Sequence, residues 1–259
     1  MNQVIRQKTQ KGSIALRQSG HGSAVVFLHG LGGSSKSWSR QLINLSESYH
    51  VIAWDCPGYG DSDDFPGGRP ATHDFAKALL SALDNMGIGE FSLVGHSMGG
   101  AVAPWIARLA PMRVKRLVLS ATKVSFGSDD PSGYDMRLAE RRQMDDETFG
   151  RARAKSMVGE DSPVFEEVAS IAGEIRVTGY EGAIHLLKNA NNAAILPTIE
   201  QPTLVVAGAN DKIAPTIATK AVADAVPSAH LITIPNAGHA AYMEQPEIYS
   251  NHLKEFLTL

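Results

Sequence analysis

This sequence has one cysteine, no long apolar run and no strong excess of either charge. The single Cys56 excludes an internal disulfide and fits a reducing compartment. No run of 18 apolar residues occurs, and residues 1–11 lack the apolar segment of a signal peptide. We therefore expect a cytoplasmic protein that does not use a membrane as its partner.

The charge balance also excludes some partners. The chain has 24 basic and 27 acidic residues, a net charge of −3, and its basic residues are spread along the sequence. Binding to nucleic acid or to an anionic membrane needs a concentrated basic surface. The sequence also lacks the ligand spacing of a zinc site. We expect a small-molecule substrate and no metal or other cofactor, and the oligomeric state stays open between monomer and homodimer.

Short apolar runs alternate with segments of helical period along most of the chain. Such alternation predicts an α/β fold with a mostly parallel central sheet that is covered by helices on both faces. The predicted strands are residues 14–17, 24–28, 51–54, 91–94, 114–120, 203–207 and 230–234. The predicted helices are residues 72–86, with Thr72 as the N-cap, 98–110, 217–225 and 246–257.

The pattern changes between residues 123 and 196, where buried-strand runs stop and charge rises. We interpret 1–122 and 197–259 as a core domain and 123–196 as a mainly helical cap inserted over the sheet edge at which the strands end. Five arginines of the insertion could bind a substrate carboxylate. They alternate with acidic residues, which is typical of a solvated helix surface. These arginines are Arg137, Arg141, Arg142, Arg151 and Arg153.

The stretch 91–100, FSLVGHSMGG, indicates a strand, a sharp turn and a helix. A serine on so tight a turn needs glycine two positions before it and two after it, because a Cβ there would clash with neighbouring backbone. The turn would expose the hydroxyl of Ser97 and direct the amide of Met98 toward an oxygen attacked there. A glycine-rich turn without function has the same pattern, so other motifs of the chain are needed to distinguish the two interpretations.

The stretch 29–37, HGLGGSSKS, follows another predicted strand. Its glycine-lined turn could direct the backbone amide of Leu31 toward the same point as that of Met98. A phosphate-binding loop is an alternative, but Ser35 replaces the second glycine that such a loop requires. A turn without function is the third interpretation.

Three polar residues follow predicted strands in the order Ser97, Asp211, His239. The carboxyl ends of parallel strands share one edge of a sheet, so these loops and residues 29–33 should converge. A serine nucleophile needs a base and a group that orients the base. His239 is the best-placed base, and Asp211 is the orienting acid because Thr122 occupies the other suitable position.

Asp55 and Cys56 also follow a predicted strand and could be catalytic. A carboxylate at a strand end more often caps loop amides. A lone cysteine among apolar residues more often fills the core, since a reactive thiol needs an electropositive and accessible setting.

At these motifs the chain resembles the α/β-hydrolase fold superfamily over nearly its whole length. Within that superfamily it is similar to 3-oxoadipate enol-lactonases, related small esterases and cofactor-free perhydrolases, and it shares its plan with hydrolases of aromatic meta-cleavage products. The motifs are HGLG at 29–32, DCPGYGDS at 55–62, GHSMGG at 95–100, GAND at 208–211 and GH at 238–239.

The resemblance implies that Ser97 attacks a carbonyl, that His239 transfers the proton and that Asp211 orients the imidazole. It implies an oxyanion hole formed by the amides of Leu31 and Met98, and no cofactor. We expect hydrolysis of a small ester or lactone, with two alternatives: cleavage of a carbon-carbon bond beside a ketone, or a ligand receptor with little turnover. The predicted substrate-binding residues are Gly30, Trp38, Met136, Met157 and Leu186.

Overall fold

The computed structural model describes residues 3–67, 69–127 and 131–258, and its centre is one sheet of eight strands. The strands are β1 Gln3–Thr9, β2 Gly12–Ser19, β3 Ser23–Leu28, β4 Tyr49–Trp54, β5 Phe91–His96, β6 Val114–Ser120, β7 Thr203–Gly208 and β8 Ala229–Ile234. The helices are α1 Ser39–Asn44, α2 Thr72–Asn85, α3 Met98–Leu109, α4 Pro131–Gln143, α5 Asp146–Met157, α6 Phe165–Gly173, α7 Val177–Asn189, α8 Thr216–Ala225, α9 Ala241–Glu244 and α10 Pro246–Thr258, with 3-10 helices at Ser35–Trp38 and Leu196–Thr198.

The strands lie in the order β1-β2-β4-β3-β5-β6-β7-β8. Strands β3 to β8 pair in parallel, whereas β2 is antiparallel to both β1 and β4 at one edge. The predicted α/β fold with a mostly parallel sheet is therefore confirmed. Strand β1 was missing from the prediction because it is an edge strand whose residues are exposed or half-buried and mostly polar.

The two faces of the sheet pack into two separate apolar clusters. Alternate residues of β3 divide between them, with Val26 and Leu28 on one side and Val25 and Phe27 on the other. Helices α2, α3 and α8 contribute to the first cluster, and α1 and α10 to the second. Because both faces are covered, the central strands carry continuous apolar runs, as the sequence indicated.

The start of α2 differs from the prediction. Thr72 is the first residue of the helix, and Ala71 is its N-cap. The backbone N–H of Ala71 donates to Oδ2 of Asp74 at 2.9 Å. The side chain of Asp74, three residues after the N-cap, therefore satisfies the N-cap amide. The prediction of Thr72 as the capping residue was wrong.

Four helices, α4 to α7, lie between β6 and β7. Within this segment α5 packs on α6, and α4 packs on α7. Arg176, just before α7, donates to the carbonyls of Gly60 at 2.6 Å and Ser62 at 2.7 Å, which fastens the helical segment to the loop after β4. The division into core and cap at residues 123 and 196 stays a prediction. Over the described residues, none of the helices has the length and apolar character needed to cross a bilayer.

Candidate active site

Ser97 lies on the turn between β5 and α3 and has the left-handed backbone angles φ 52° and ψ −111°. A Cβ on Gly95 would lie 2.5 Å from the carbonyl oxygen of Gly99, and one on Gly99 would overlap the carbonyl oxygen of Leu28. Both glycines are thus required by close backbone contact, which is the reason that the sequence pattern suggested. The strained serine is held by its N–H, which donates to the Ser120 carbonyl at 2.9 Å.

The loops after β5, β7 and β8 bring Ser97, Asp211 and His239 together. Nε2 of His239 lies 3.0 Å from Oγ of Ser97, and Nδ1 of His239 lies 2.8 Å from Oδ2 of Asp211. Because a carboxylate accepts hydrogen bonds, Nδ1 carries the proton and Nε2 is left as an acceptor for the Ser97 hydroxyl.

Asp211 is bonded on both oxygens. Its Oδ1 accepts the backbone N–H groups of Ile213 at 2.8 Å and Ala214 at 2.9 Å. Burial acts to raise the pKa of Asp211, but the hydrogen bond and charge of His239 and the two amides outweigh it, so the pKa lies below its usual range. The carboxylate is therefore ionised at neutral pH.

Two backbone N–H groups of the loop that carries His239 donate hydrogen bonds to other parts of the protein. The N–H of His239 donates to the carbonyl of Met157 in the helical segment at 3.0 Å. The N–H of Gly238 donates to Oε2 of Glu244 at 2.8 Å. Burial, together with the charge of Asp211, raises the pKa of Glu244 to about 7 despite that bond. Sequence reasoning missed Glu244, since nothing in its local pattern marks a buried acid.

The loop after β3 lies directly against Ser97. A Cβ on Gly30 would lie 3.1 Å from the Cβ of Ser97. The hydroxyl of Tyr59 donates to the carbonyl of Leu31 at 3.1 Å, and the Gly33 N–H donates to the Gly30 carbonyl at 3.0 Å. Among the described residues, the amides of Leu31 and Met98 have no hydrogen-bond acceptor. Both amides are therefore free to donate to a bound group.

The alternative of a phosphate loop after β3 is not supported. The amide of Ser35 donates to Oδ1 of Asp55 at 2.7 Å. The ammonium of Lys36 lies 2.6 Å from Oε2 of Glu174. The groups that would cradle a phosphate are therefore bonded to carboxylates, and Asp55 acts as the loop cap that was its simpler interpretation.

Cys56 and His29 both belong to the packing beneath this loop. Cys56 is fully buried, and burial raises the pKa of its thiol well above the usual value. The amide of Cys56 donates to Nε2 of His29 at 3.1 Å, so Nδ1 of His29 donates to the Gly30 carbonyl at 2.8 Å. Both residues support the loop and neither is placed to act on a substrate.

His96, the residue before the serine, is buried, and neither ring nitrogen has a hydrogen-bond partner within the part of the chain that the structure describes. Its ring centroid lies 4.9 Å from that of His239. Burial, and then the charge of His239, lower the pKa of His96 well below its usual value. His96 is therefore neutral, and it places no second positive charge beside the His239 imidazole.

A cavity of about 480 Å³ opens in front of Ser97 and His239. Its walls come from the loop after β3, from the loop after β7, and from the helical segment, which contributes Phe126, Tyr134 and Leu187. A space of this volume accommodates a small organic molecule.

Of the predicted substrate-binding residues, Gly30 and Met157 line this cavity. Three others lie elsewhere, which corrects the prediction. Trp38 is buried beneath the site, where its ring stacks on Tyr242 with centroids 4.1 Å apart. Met136 is 61% exposed on the outer face of α4, and Leu186 is buried in the apolar core beside Leu187.

Five of the arginines of the helical segment fall into three groups, which are paired at the surface, buried, or lining the cavity. Arg142 pairs with Glu181 at 2.8 Å and Arg151 with Glu166 at 2.9 Å, as expected of a solvated helix surface. Arg141 is buried and donates to the Ile175 carbonyl. Arg137 and Arg153 instead line the cavity. Over the described residues, no three potential metal ligands of the types His, Cys, Asp and Glu come together.

Comparison with known proteins finds relatives that match the chain over most of its length. The chain is 28% identical over 250 residues to the pimeloyl-(acyl-carrier protein) methyl ester esterase of Nitrosomonas europaea, and the match covers 91% of this chain and 96% of that protein. A thermophilic esterase from Thermogutta terrifontis, solved with malate bound, superimposes with a TM-score of 0.90 and 28% identity, covering 99% of this chain and 98% of the other.

The enol-lactonase from Burkholderia xenovorans LB400 has a TM-score of 0.91 at 22% identity and covers 98% of this chain and 100% of its own. At that identity the likeness shows a common fold. The model of one family matches residues 25–251. This match spans most of the sequence and includes the turn of Ser97 and the loops of Asp211 and His239. The chain belongs to the alpha/beta hydrolase family.

Proposed function

We propose that this hydrolase cleaves a small ester or lactone through an acyl-enzyme on Ser97. The observation that carries the proposal is the continuous hydrogen-bonded chain from Asp211 through His239 to the Ser97 hydroxyl, with distances of 2.8 and 3.0 Å. Ser97 and His239 also line a cavity of about 480 Å³, which is large enough for a small ester or lactone. The esterase relatives at 28% identity support the same class of reaction.

In the first half of the reaction, Oγ of Ser97 attacks the ester carbonyl and its proton passes to Nε2 of His239. The negative charge that forms on the carbonyl oxygen is held by the amides of Leu31 and Met98. Asp211 stabilises the imidazolium. The bond between the carbonyl carbon and the leaving oxygen then breaks, and His239 returns the proton to the departing alcohol.

Water completes the cycle. His239 accepts a proton from a water molecule, whose oxygen attacks the acyl carbon, and the same two amides hold the second oxyanion. Collapse of this intermediate breaks the bond to Oγ of Ser97, which takes the proton back from Nε2 of His239, and the carboxylic acid is released. In a lactone the leaving alcohol stays attached to the acyl group, so a single hydroxy acid is released.

The proposal is tested by turnover of p-nitrophenyl acetate and butyrate. Ser97→Ala should lower kcat by about 10⁶-fold, to the background rate, because the nucleophile is removed. Ser92→Ala, at the half-buried second residue of β5, is the control and should leave kcat within twofold. A phenylmethylsulfonyl group should add once to the wild-type protein by intact mass, and not to Ser97→Ala.

Two results would contradict the proposal. One is a wild-type enzyme that turns over no member of a broad panel of esters and lactones. The other is a folded Ser97→Ala variant that retains the wild-type rate, since this would place the nucleophile elsewhere.

A further inference from the structure

The cavity in front of Ser97 is positively charged although the whole chain has a net charge of −3. Five basic residues line it, and none of the described lining residues is an aspartate or a glutamate. A cleft with one sign of charge attracts ligands of the opposite sign. The basic residues are Lys123, Arg137, Arg153, Lys155 and Lys212.

Arg153 has no carboxylate partner over the described residues, in contrast to its two basic neighbours on the same helix. Its neighbour on the same helix, Arg151, pairs with Glu166 at 2.9 Å, and Lys155 pairs with Glu160 at 3.0 Å. The Nε of Arg153 is buried and has no hydrogen-bond acceptor in residues 3–67, 69–127 and 131–258. A buried donor without an acceptor is unfavourable, and a bound anion would supply the acceptor.

The position of Arg153 relative to Ser97 is set by the glycine loop after β3. At one end of the loop, a Cβ on Gly30 would lie 3.1 Å from the Cβ of Ser97. At the other end, a Cβ on Gly32 would lie 4.0 Å from Nε of Arg153. Two residues of backbone span at most about 7 Å. Arg153 and Ser97 therefore flank the same short loop and line the same cavity, so an anion bound at Arg153 and a carbonyl at Ser97 would share that cavity.

We propose that Arg153 binds a free carboxylate on the substrate, so that the enzyme prefers half-esters of short dicarboxylic acids, or lactones that carry a carboxylate. This inference rests on the proposed function, because it places the scissile carbonyl at Ser97. Guanidinium matches a carboxylate by two parallel hydrogen bonds, in which Nε and one terminal nitrogen donate. The nearby lysines contribute charge without that geometry.

The test compares two esters of equal size. Monoethyl glutarate carries the carboxylate, and ethyl 5-methylhexanoate has an isopropyl group in its place. The acid released from each is followed by titration at constant pH. Wild-type enzyme should show a kcat/KM for monoethyl glutarate about 10- to 100-fold above that for the neutral ester, as expected for hydrogen bonds to a charged group.

Three variants separate the role of Arg153 from general effects of charge and folding. Arg153→Gln should lose the preference, because its kcat/KM should fall about 10- to 100-fold more for monoethyl glutarate than for the neutral ester. Arg153→Lys keeps the charge but not the paired donors, so its preference should fall between those of wild type and Arg153→Gln. Arg151→Gln, the control two residues away on α5, should leave the preference unchanged.

The inference and the proposed function fail in different ways. Wild-type enzyme that hydrolyses p-nitrophenyl butyrate but treats the two ethyl esters alike overturns the role of Arg153 and leaves the hydrolase intact. An equal loss of kcat/KM on both ethyl esters in Arg153→Gln also overturns the role of Arg153. If no ester is cleaved at all, the proposed function fails, and calorimetric titration with glutarate still decides whether Arg153→Gln weakens anion binding by the same 10- to 100-fold.

Discussion

The backbones of Gly58 and Gly179 are in direct contact where the loop after β4 meets helix α7. A Cβ on either glycine would overlap the backbone of the other, and Gly58 has a φ of +88°. This contact lies beside the bonds from Arg176 to the same loop. It therefore fixes how closely the helical segment approaches the core, and with it the wall of the cavity.

Gly179→Ala should separate α7 from the loop after β4. We expect a loss of about 1–3 kcal/mol in the free energy of unfolding, as for other overpacked sites, and a lower kcat/KM because the cavity wall moves. Urea unfolding measures the first effect. The control is Gly182→Ala on the same helix, where the nearest neighbour of a Cβ is Pro70 at 3.6 Å. That change should stabilise the protein by about 0.5–1 kcal/mol. Equal stability of the two variants would contradict the assignment.

The loops of the site were more predictable than the cavity wall. Ser97, Asp211 and His239 follow strands buried on both faces, and the strand ends of a parallel sheet share one edge. The sequence alone therefore indicated that these residues converge. Their side chains are fixed by short backbone bonds, such as those of Asp211 to the amides of Ile213 and Ala214, that belong to the same local turns.

The cavity wall could not be predicted because it depends on how helices are rotated. Arg151 and Arg153 lie two positions apart on α5, so they point in nearly opposite directions. Arg151 pairs with Glu166 on the surface, and Arg153 lines the cavity. The alternating charges in the sequence do not indicate which of these two arginines faces the cavity. Leu186, buried in the core, and Leu187, at the cavity, illustrate the same limit.

Asp211→Asn should lower kcat by about 10⁴-fold with little change in stability. The amide oxygen can still accept the N–H groups of Ile213 and Ala214, but the side chain no longer holds the proton on Nδ1 of His239. Steady-state kinetics with p-nitrophenyl butyrate measures the loss. Asp211→Ala, which leaves both amides unpaired, should in addition unfold at lower temperature. A kcat of Asp211→Asn within tenfold of wild type would show that another group orients His239.

Gly30→Ala should lower kcat by about 10²-fold and change KM little. The new Cβ would lie 3.0 Å from His96 and 3.1 Å from Ser97, which forces the loop that carries the Leu31 amide away from the serine. Loss of one oxyanion donor costs about 10²- to 10³-fold in kcat. Gly89→Ala, where no atom lies within 4 Å of the Cβ, should behave as wild type. A rise in KM at constant kcat would instead assign Gly30 to ground-state binding.

Cys56 should be chemically inert in the folded enzyme. It is buried, and burial raises the pKa of its thiol, so little thiolate is available to react. We expect Ellman's reagent to modify it slowly in the native protein and rapidly in urea. Cys56→Ala should retain kcat within threefold, with a modest loss of stability from the removed sulfur. Rapid modification of the native enzyme with loss of activity would instead indicate that Cys56 belongs to the active site.

Glu244 should make the stability of the enzyme fall as pH rises through neutrality. Its pKa is about 7 in the folded protein and its ordinary value is 4.5, because burial and the charge of Asp211 disfavour the carboxylate. A carboxyl group with a raised pKa stabilises the folded state fully below the unfolded pKa, and that contribution is lost as pH increases through the folded pKa. The sensitive window is therefore from about pH 4.5 to just above pH 7.

Glu244→Gln removes this dependence and retains an oxygen that accepts the Gly238 N–H. The thermal midpoint of the variant should match that of wild type near pH 5 and exceed it increasingly up to pH 8. Exposed Glu247→Gln, three residues further along, is the control, and its difference from wild type should not follow this curve. If the difference in thermal midpoint between Glu244→Gln and wild type were the same at pH 5 and pH 8, the folded protein would not raise the pKa of Glu244. The bond from Glu244 to Gly238 would then hold the His239 loop equally well in both protonation states.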